Sequence, residues 1–270
     1  MLNRDEQIKN VLENNMDFYQ KSEDAKKILT IMLRLCEKYS FVANQTYPRP
    51  SHPLEQKRTD PYFTLIAIIL SLRTTLENET KAVSNFMQKY NSLQAVLDAD
   101  EQELAEVIKV AGMPQKKAKT IMELSEYIQQ YYHGNIWNVK KDSVDETREE
   151  LLNMPGVGEK SADCMIELGF DMPSMVVDIN VFRTASRIFG EEWADNPDFS
   201  DKKQIKAIKD RLEHSLPKDY LTYQIAHTMI LLQGKYICKS KSKCENCFIT
   251  DCCNFYQEKK KDNAQMEIEL

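Results

Sequence analysis

The stretch that decides the fold is residues 151–170, which read LLNMPGVGEKSADCMIELGF. Gly156 and Gly158 stand between two segments whose apolar residues recur at helical spacing, which predicts a tight turn between two helices. Such a turn brings backbone N–H groups to the start of the second helix, where the helix dipole favours an anion such as a phosphate. A bare Gly-x-Gly is also typical of an ordinary turn, but the complete string, with Val157 between the glycines, is more specific.

Helical periodicity extends on both sides of this hairpin and predicts an all-α protein. Strand-like alternation is nearly absent, and only seven of the 270 residues are Gly, which disfavours turn-rich β folds. Ser143 and Glu146 form a capping-box pattern that begins a helix. Helices are predicted over residues 24–39, 61–72, 77–90, 101–111, 115–132, 144–153, 159–169, 179–189, 201–214 and 219–233.

The composition is that of a folded globular protein, with 42% hydrophobic and 29% charged residues. The longest apolar run, residues 63–72, is about half of the roughly 20 residues that span a membrane. The N-terminus mixes acids with bases and lacks the apolar segment of a signal peptide. We therefore expect an intracellular protein (cytoplasm or nucleoid, if prokaryotic) without a membrane partner, in which clustered cysteines bind metal rather than form disulfides.

Two charged residues follow the hairpin at positions that suit catalysis. Lys160 falls in the first turn of the next predicted helix, where the positive end of the dipole favours a neutral, nucleophilic amine. Asp178 ends an apolar stretch just before the predicted helix INVFRTASRIFG. Taken separately, Lys160 is also explained as a solvated or phosphate-binding side chain, and Asp178 as a helix N-cap. Together, beside a phosphate-binding hairpin, they favour a catalytic pair.

A cysteine cluster near the C-terminus predicts a metal site. The pattern C-x5-C-x2-C-x5-C is formed by Cys238, Cys244, Cys247 and Cys253. Four thiolates so close together fit either zinc or a 4Fe–4S cluster. Zinc sites commonly pair two C-x2-C knuckles, so the single knuckle here favours the 4Fe–4S cluster. Cys252, adjacent to Cys253, leaves the identity of the fourth ligand open.

These segments together resemble the endonuclease III branch of the helix–hairpin–helix DNA glycosylases. The resemblance runs from about residue 24 to residue 256 and keeps hairpin, lysine, aspartate and cysteines in the family's order. It implies a two-lobed all-α fold, with a six-helix lobe and an iron–sulfur cluster lobe that bind DNA between them. The predicted parts are a flexible N-terminal extension at 1–23, the six-helix lobe with the hairpin at 57–172, the discontinuous cluster lobe at 24–56 plus 173–256, and a tail at 257–270.

The resemblance also implies the chemistry. Lys160 matches the family's Schiff-base nucleophile, which attacks the sugar C1′ as the damaged base leaves and then permits β-elimination. Asp178 matches the essential carboxylate that helps to deprotonate Lys160. The cysteines match the ligands of a 4Fe–4S cofactor, with Cys253 in the fourth place. The implied enzyme is a monomeric base-excision-repair glycosylase and AP lyase for oxidised pyrimidines, whose partner is double-stranded DNA with a damaged base or an abasic site.

The chain departs from the family pattern at positions that bear on base choice. Arg73 stands where a Gln often fills the gap left by the flipped base, and Leu76 stands where an Asp is usual. Met113 falls where the family places an apolar wedge, although a simple cap of a helix junction is an alternative. His227 matches a family His, or is a packed core residue. Two alternatives stay open: a preference for thymine or uracil opposite guanine, and a non-catalytic module that binds distorted DNA.

The net charge of −6 argues against a DNA partner unless the charges are unevenly placed. Acidic residues concentrate in 1–24 and 191–198, whereas two segments are locally basic. We predict that the two basic segments face the DNA and that the acids face away. The basic residues are Lys116, Lys117 and Lys119 before the hairpin, and Lys235, Lys239, Lys241 and Lys243 in the loop at the first cysteine.

Overall fold

The computed structural model describes residues 10–46 and 60–268, with side chains described for 10–39 and 60–262. Within those ranges the protein consists of α helices joined by loops and short 3-10 turns, without a strand. The prediction of an all-α protein is therefore confirmed. The described residues form two compact units: the hairpin unit, residues 60–174, and the cysteine unit, residues 10–46 with 175–268.

The helices follow one another with short connections. In chain order they are α1 (Met16–Tyr19), α2 (Glu23–Thr46), α3 (Pro61–Ser71), α4 (Leu76–Lys89), α5 (Leu93–Leu97), α6 (Glu101–Ile108), α7 (Pro114–Tyr132), α8 (Val144–Leu152), α9 (Glu159–Leu168), α10 (Ile179–Phe189), α11 (Lys202–Ser215), α12 (Tyr220–Tyr236) and α13 (Asn254–Ile268). The 3-10 turns are Lys109–Ala111, Ile136–Val139, Cys244–Asn246 and Thr250–Cys252.

Helix α3 is the centre of the hairpin unit. Asp60 caps its first turn by accepting a hydrogen bond from Tyr62 N at 3.0 Å, and Pro61 occupies the first helical position. From Pro61 to Leu70, every residue except Thr64 is buried. A helix that is apolar on nearly all sides must be surrounded by other elements, and the remaining helices of the unit supply that cover.

The cysteine unit is built around α12, which packs on both α2 and α10. Gly234 on α12 permits the close approach to α10, because a Cβ at that position would lie 2.8 Å from the main-chain O of Asn180. Helix α2 runs seven residues beyond its predicted end at residue 39. The sequence between 39 and 46 contains neither Gly nor Pro, so nothing local stops the helix there.

The prediction of a flexible extension over residues 1–23 is wrong for its described part. Residues 10–13 are helical, α1 follows, and Leu12 and Tyr19 are 0% and 1% exposed in the core of the cysteine unit. The many charged residues of this segment lie between widely spaced apolar anchors. Burial of those anchors, rather than the average polarity, decides whether the segment is held.

Two further elements differ from the prediction. Residues 257–268, predicted only as part of a tail, continue helix α13, and Lys259 pairs with Asp195 at 2.6 Å and lies over the ring of Phe255. Helix α5 was not predicted, because its five residues are too few to show a helical period. The predicted lobe boundary at 172/173 lies two residues before the division between the units, and the boundary at 56/57 falls outside the described residues.

All seven cysteines are outside disulfide bonds. In the described ranges, no helix has the length and apolar character that crossing a bilayer requires. Each of the two units has a hydrophobic core of its own, and burial of that apolar surface stabilises it.

Burial of Leu12 predicts a measurable contribution to stability. Replacement by Ala is expected to lower the free energy of unfolding by about 2–5 kcal/mol, because a fully buried leucine leaves a cavity. Met16→Ala, four residues later and 44% exposed, is the matched control and is expected to cost less than about 0.5 kcal/mol. Urea unfolding measures both. Equal stability of the two variants would show that this segment does not pack on the core.

Candidate functional site

The hairpin joins α8 to α9 through residues 153–158 and leaves the start of α9 open. Gly156 has φ +75°, and a Cβ there would lie 2.3 Å from the Thr120 side chain, so both the backbone and the packing require glycine. A Cβ at Gly158 would meet nothing within 4 Å. No side chain caps the first turn of α9. Its free N–H groups therefore point to a surface that a phosphate can approach, while Val157 is buried and anchors the turn.

A buried ion pair joins the two helices of the hairpin. Arg148 on α8 donates from Nε and Nη2 to Asp163 Oδ1 on α9, at 3.2 and 3.1 Å. Ser174 Oγ donates to the same oxygen at 2.7 Å, and Asp163 is only 6% exposed. The angle between the two helices is thus held by charge-assisted hydrogen bonds and does not depend on the turn alone.

Lys160 is the second residue of α9, and its side chain is exposed. No hydrogen bond or ion pair joins its Nζ to another residue in the described part of the chain. The amine is therefore presented to solvent beside the open hairpin turn. No described residue therefore hinders a reacting group from approaching Lys160 Nζ by binding to it first.

Asp178, in the cysteine unit, is the N-cap of α10. Its Oδ1 accepts hydrogen bonds from Asn180 N at 2.9 Å and Val181 N at 2.8 Å, and its Oδ2 accepts one from Asn180 Nδ2 at 3.2 Å. The N-cap interpretation therefore holds. It leaves a catalytic role open, because Oδ2 keeps acceptor capacity and the side chain is only half-buried.

Among the described residues of the hairpin unit, four non-glycine residues have a left-handed backbone: Arg73, Met113, His133 and Asp171. The first two are the residues predicted to contact DNA. Arg73 lies between α3 and α4 with φ 51°, and Met113 precedes α7 with φ 49°. Both side chains are exposed, and neither residue is a glycine, for which this conformation carries little cost. Met113 is the N-cap residue of α7 but makes no side-chain cap, so capping alone does not explain it.

Lys117 contradicts the prediction that it faces DNA. Its side chain is 3% exposed, and its Nζ donates to the main-chain O of Leu70 at 2.8 Å and of Ala111 at 2.9 Å. Burial lowers the pKa of this ammonium group from its usual range. Lys116 and Lys119 are exposed, as predicted for the basic segment before the hairpin.

The four cysteines of the spaced pattern line one cavity of the cysteine unit. As free thiols they turn to separate partners: Cys253 Sγ donates to the main-chain O of Arg187 at 3.4 Å, and Cys247 Sγ accepts from Gln233 Nε2 at 3.3 Å. Accordingly, no three His, Cys, Asp or Glu side chains of the described residues are spaced to hold a metal ion. The donor set, four sulfurs around one cavity, still fits a four-thiolate centre.

Cys252 and Cys253 differ in their surroundings. Among the described residues, the lining of the cavity includes Cys253 but not Cys252. Cys252 packs against the hydrophobic core, and its Sγ donates to Asp251 Oδ2 at 3.7 Å. Burial, with the nearby sulfurs of the other three cavity cysteines, raises the pKa of the Cys253 thiol to about 12. The Cys253 thiol therefore stays neutral near pH 7 unless a cation binds beside it.

Comparison with known proteins identifies the family of this chain. A family model described as "HhH-GPD superfamily base excision DNA repair protein" matches residues 66–209, more than half of the chain. The chain belongs to this superfamily. The matched residues include the hairpin, Lys160 and Asp178. The chain is accordingly a DNA glycosylase of base excision repair, and the prediction of such an enzyme is confirmed.

Several curated relatives are endonuclease III proteins. That of Thermotoga maritima is 32% identical over 218 residues, which cover 80% of this chain and 93% of the relative. That of Rickettsia prowazekii is 31% identical, covering 83% and 96%. That of Escherichia coli is 27% identical, covering 77% and 90%. The glycosylase is therefore endonuclease III-like over most of its length.

Solved structures confirm the helix–hairpin–helix glycosylase fold. A thermostable thymine-DNA glycosylase matches with a TM-score of 0.68 and 25% identity, covering 86% of this chain and 98% of that one. A trapped covalent intermediate of endonuclease III with DNA, an estranged-adenine complex, matches with a TM-score of 0.65 and 23% identity, covering 87% and 98%.

The lysine-rich loop of the glycosylase is held by two arginines of α10. Arg183 Nε donates to the main-chain O of Cys238 at 2.8 Å. The buried Arg187 donates from Nη1 to Lys239 O at 2.6 Å and from Nη2 to Ser240 O at 3.1 Å. The loop backbone is therefore fixed, while its basic side chains are exposed: Lys239, Lys241 and Lys243. Lys235, which the sequence analysis placed in this loop, is exposed in the last turn of α12.

Two contacts of the glycosylase were not anticipated from its sequence, and a third, at His227, fits the packed residue that was one of its two interpretations. Lys117 shares the spacing of the buried residues Ile121 and Leu124 on α7, a signal that would have placed it in the core. Asp163 likewise lies between the buried residues of α9, where a charged residue implies a partner. His227 is half-buried, with its Nδ1 2.9 Å from the main-chain O of Val176, which is a packing role.

Replacement of each of the two adjacent cysteines is expected to have a different effect on metal content. Cys253→Ser is expected to lower the iron and sulfide content per chain strongly, because Cys253 lines the cavity with the other three cysteines. Cys252→Ser, the matched control, is expected to retain both. Iron and acid-labile sulfide are measured on the purified proteins. Loss of iron in Cys252→Ser with retention in Cys253→Ser would contradict this assignment.

Proposed function

We propose that this glycosylase removes oxidised pyrimidines from duplex DNA and then cleaves the abasic strand as an AP lyase. The observation that carries the proposal is the position of Lys160. Its amine is exposed at the second residue of α9, next to a hairpin with free N–H groups. A nucleophile beside a phosphate site is placed to react with a sugar of the bound strand. The endonuclease III relatives support the same class of reaction.

The proposed reaction begins at the sugar. The neutral amine of Lys160 attacks C1′, the bond from C1′ to the damaged base breaks, and the base leaves with the bonding electrons. Opening of the sugar ring gives an imine between Lys160 and C1′. Loss of a proton from C2′ then breaks the C3′–O bond and nicks the strand on the 3′ side. Water releases the enzyme from the imine.

Asp178 is the proposed acceptor for the proton that Lys160 must lose before it attacks. Two backbone N–H groups hold Oδ1, so the carboxylate keeps one orientation. Its negative charge would also stabilise the positive charge that develops on the sugar as the base departs. A capped, half-buried aspartate is suited to both tasks, because it is oriented and still reachable.

DNA binding is proposed to use the open turn with Gly156, Val157 and Gly158, and the exposed lysines of the fixed loop. Both contact phosphates and so read no sequence. Met113 is the proposed wedge that unstacks a base step, and Arg73 the side chain that fills the gap left by the flipped base. The left-handed backbone at each of the two presents its side chain at the tip of a turn.

A 4Fe–4S cluster is proposed for the cysteine cavity, held by Cys238, Cys244, Cys247 and Cys253. When bound, the cluster would supply four metal–sulfur bonds that cross-link the loop to the segment before α13. The chain's own contribution is the fixed backbone at Cys238, which Arg183 holds. A rigid loop keeps Lys239, Lys241 and Lys243 in one position for the phosphates.

A second candidate, removal of thymine or uracil opposite guanine, is favoured by Arg73. A long charged side chain at the gap would change which opposite base is accepted, and the thymine-DNA glycosylase is among the similar structures. A panel of duplexes decides between the two. Release of an oxidised pyrimidine without action on a T:G mismatch supports the first function, and the reverse supports the second.

Borohydride trapping tests the role of Lys160. The native protein is expected to form a stable covalent adduct with abasic DNA, because borohydride reduces the imine to an amine. Lys160→Ala is expected to form none, whereas Lys81→Ala, which removes an exposed lysine paired with Glu77, is expected to trap normally. Adducts are counted on a denaturing gel. An undiminished adduct in Lys160→Ala would show that another residue is the nucleophile.

The loop lysines predict a specific salt dependence. Replacing Lys239, Lys241 and Lys243 by Ala is expected to weaken DNA binding and to reduce the slope of log K against log salt by up to about 2.7, or about 0.9 for each lost phosphate contact. The matched control removes three exposed lysines of α11, Lys202, Lys203 and Lys206. Fluorescence anisotropy over a salt series measures both. Equal slopes in the two triple variants would contradict a DNA-facing loop.

A further inference from the structure

Lys117 joins two turns of the hairpin unit that are distant in sequence. The main-chain O of Leu70, which it contacts at 2.8 Å, lies in the last turn of α3. The main-chain O of Ala111, at 2.9 Å, ends the 3-10 turn that precedes α7. One buried ammonium group therefore connects the end of α3 with the start of α7.

Each of these turns continues into a residue with a left-handed backbone. Arg73 follows Leu70 by three residues, and Met113 follows Ala111 by two. A non-glycine residue adopts that conformation only at an energetic cost. The surrounding structure must therefore hold both turns in place, and Lys117 is the group that contacts both.

The cost of burying the ammonium group is offset by its two acceptors. Leu70 O is one of the last carbonyl groups of α3, which lack donors inside the helix. Ser71 Oγ donates a hydrogen bond to the main-chain O of Ile68 at 2.7 Å, and Lys117 Nζ donates one to the main-chain O of Leu70. Hydrogen bonds from a charged donor are stronger than neutral ones, so this contact fixes the end of α3 firmly.

We propose that Lys117 is a positioning residue for base flipping. Lys117 couples the two turns, so that Arg73 and Met113 enter the DNA base stack together. This inference rests on the proposed function, which assigns Met113 as the wedge and Arg73 as the filler of the gap. The wedge has to open the stack where the filler then enters. A displacement of one turn against the other would separate these actions, and small displacements have large effects on rate.

The first test replaces Lys117 by Met, which keeps the length of the side chain and removes its donors. Unstacking is followed in stopped flow by the fluorescence of 2-aminopurine placed beside an oxidised pyrimidine in a duplex. We expect the unstacking rate to fall about tenfold. Borohydride trapping on single-stranded abasic DNA, which needs no wedge, is expected to stay unchanged.

Lys109→Met is the matched control for this test. Lys109 lies in the same 3-10 turn as Ala111, is exposed, pairs with Glu106, and loses the same charge on replacement. It is expected to leave both measurements unchanged. An unstacking rate of Lys117→Met equal to that of the native protein overturns the proposal, and so does an equal loss of trapping on single strands, which marks a general loss of structure.

The same measurements separate this proposal from the proposed lyase chemistry. Absence of trapping in the native protein would overturn the role of Lys160. The unstacking rates would still report on Lys117, because they are recorded before any bond breaks. A slow unstacking rate in Lys117→Met therefore supports the positioning role whichever way the trapping result falls in the native protein.

A second test leaves Lys117 in place and so does not depend on whether Lys117→Met folds. The unstacking rates of Arg73→Ala, Met113→Ala and the double variant form a double-mutant cycle. Because the two turns act as one, we expect the double variant to lose less than the product of the single losses, by at least about threefold. Independent, multiplicative losses would overturn the proposal.

Discussion

A helix that is buried along nearly all of its length needs donors within the protein for its last carbonyl groups, and α3 is such a helix. The structure meets this constraint with the hydroxyl of Ser71 and the ammonium group of Lys117. A charged residue in the core is therefore a consequence of how α3 ends. The same contact determines where the chain leaves the core, and hence where the turns with Arg73 and Met113 lie.

Local signals predicted the helices and their starts well. Asp60, Ser143 and Asp178 each cap a helix as their sequence context indicates. The hairpin was predicted from Gly156 and Gly158, yet the structure separates their roles. Gly156 is required by backbone conformation and by contact with Thr120, whereas Gly158 leaves open space. A sequence pattern shows that glycine is present, but only the packing shows why.

The sequence patterns did not predict contacts between segments that are distant along the chain. Leu12 and Tyr19 belong to two short apolar pairs, Val11–Leu12 and Phe18–Tyr19, in a polar stretch, and the core that they join includes residues far along the chain. Lys116 and Lys117 are identical neighbours, and the helix phase alone makes one exposed and one buried. Cys252 and Cys253 pose the same problem, because successive residues point in different directions and spacing cannot choose between them.

Helix α10 holds two separate features of the cysteine unit in place. Its first turn orients Asp178, while Arg183 and Arg187 on its side clamp the backbone of the lysine-rich loop. The eleven residues of α10 thus connect the Asp178 carboxylate rigidly to the lysine-rich loop. A displacement of the loop backbone would therefore also move the helix that orients the Asp178 carboxylate.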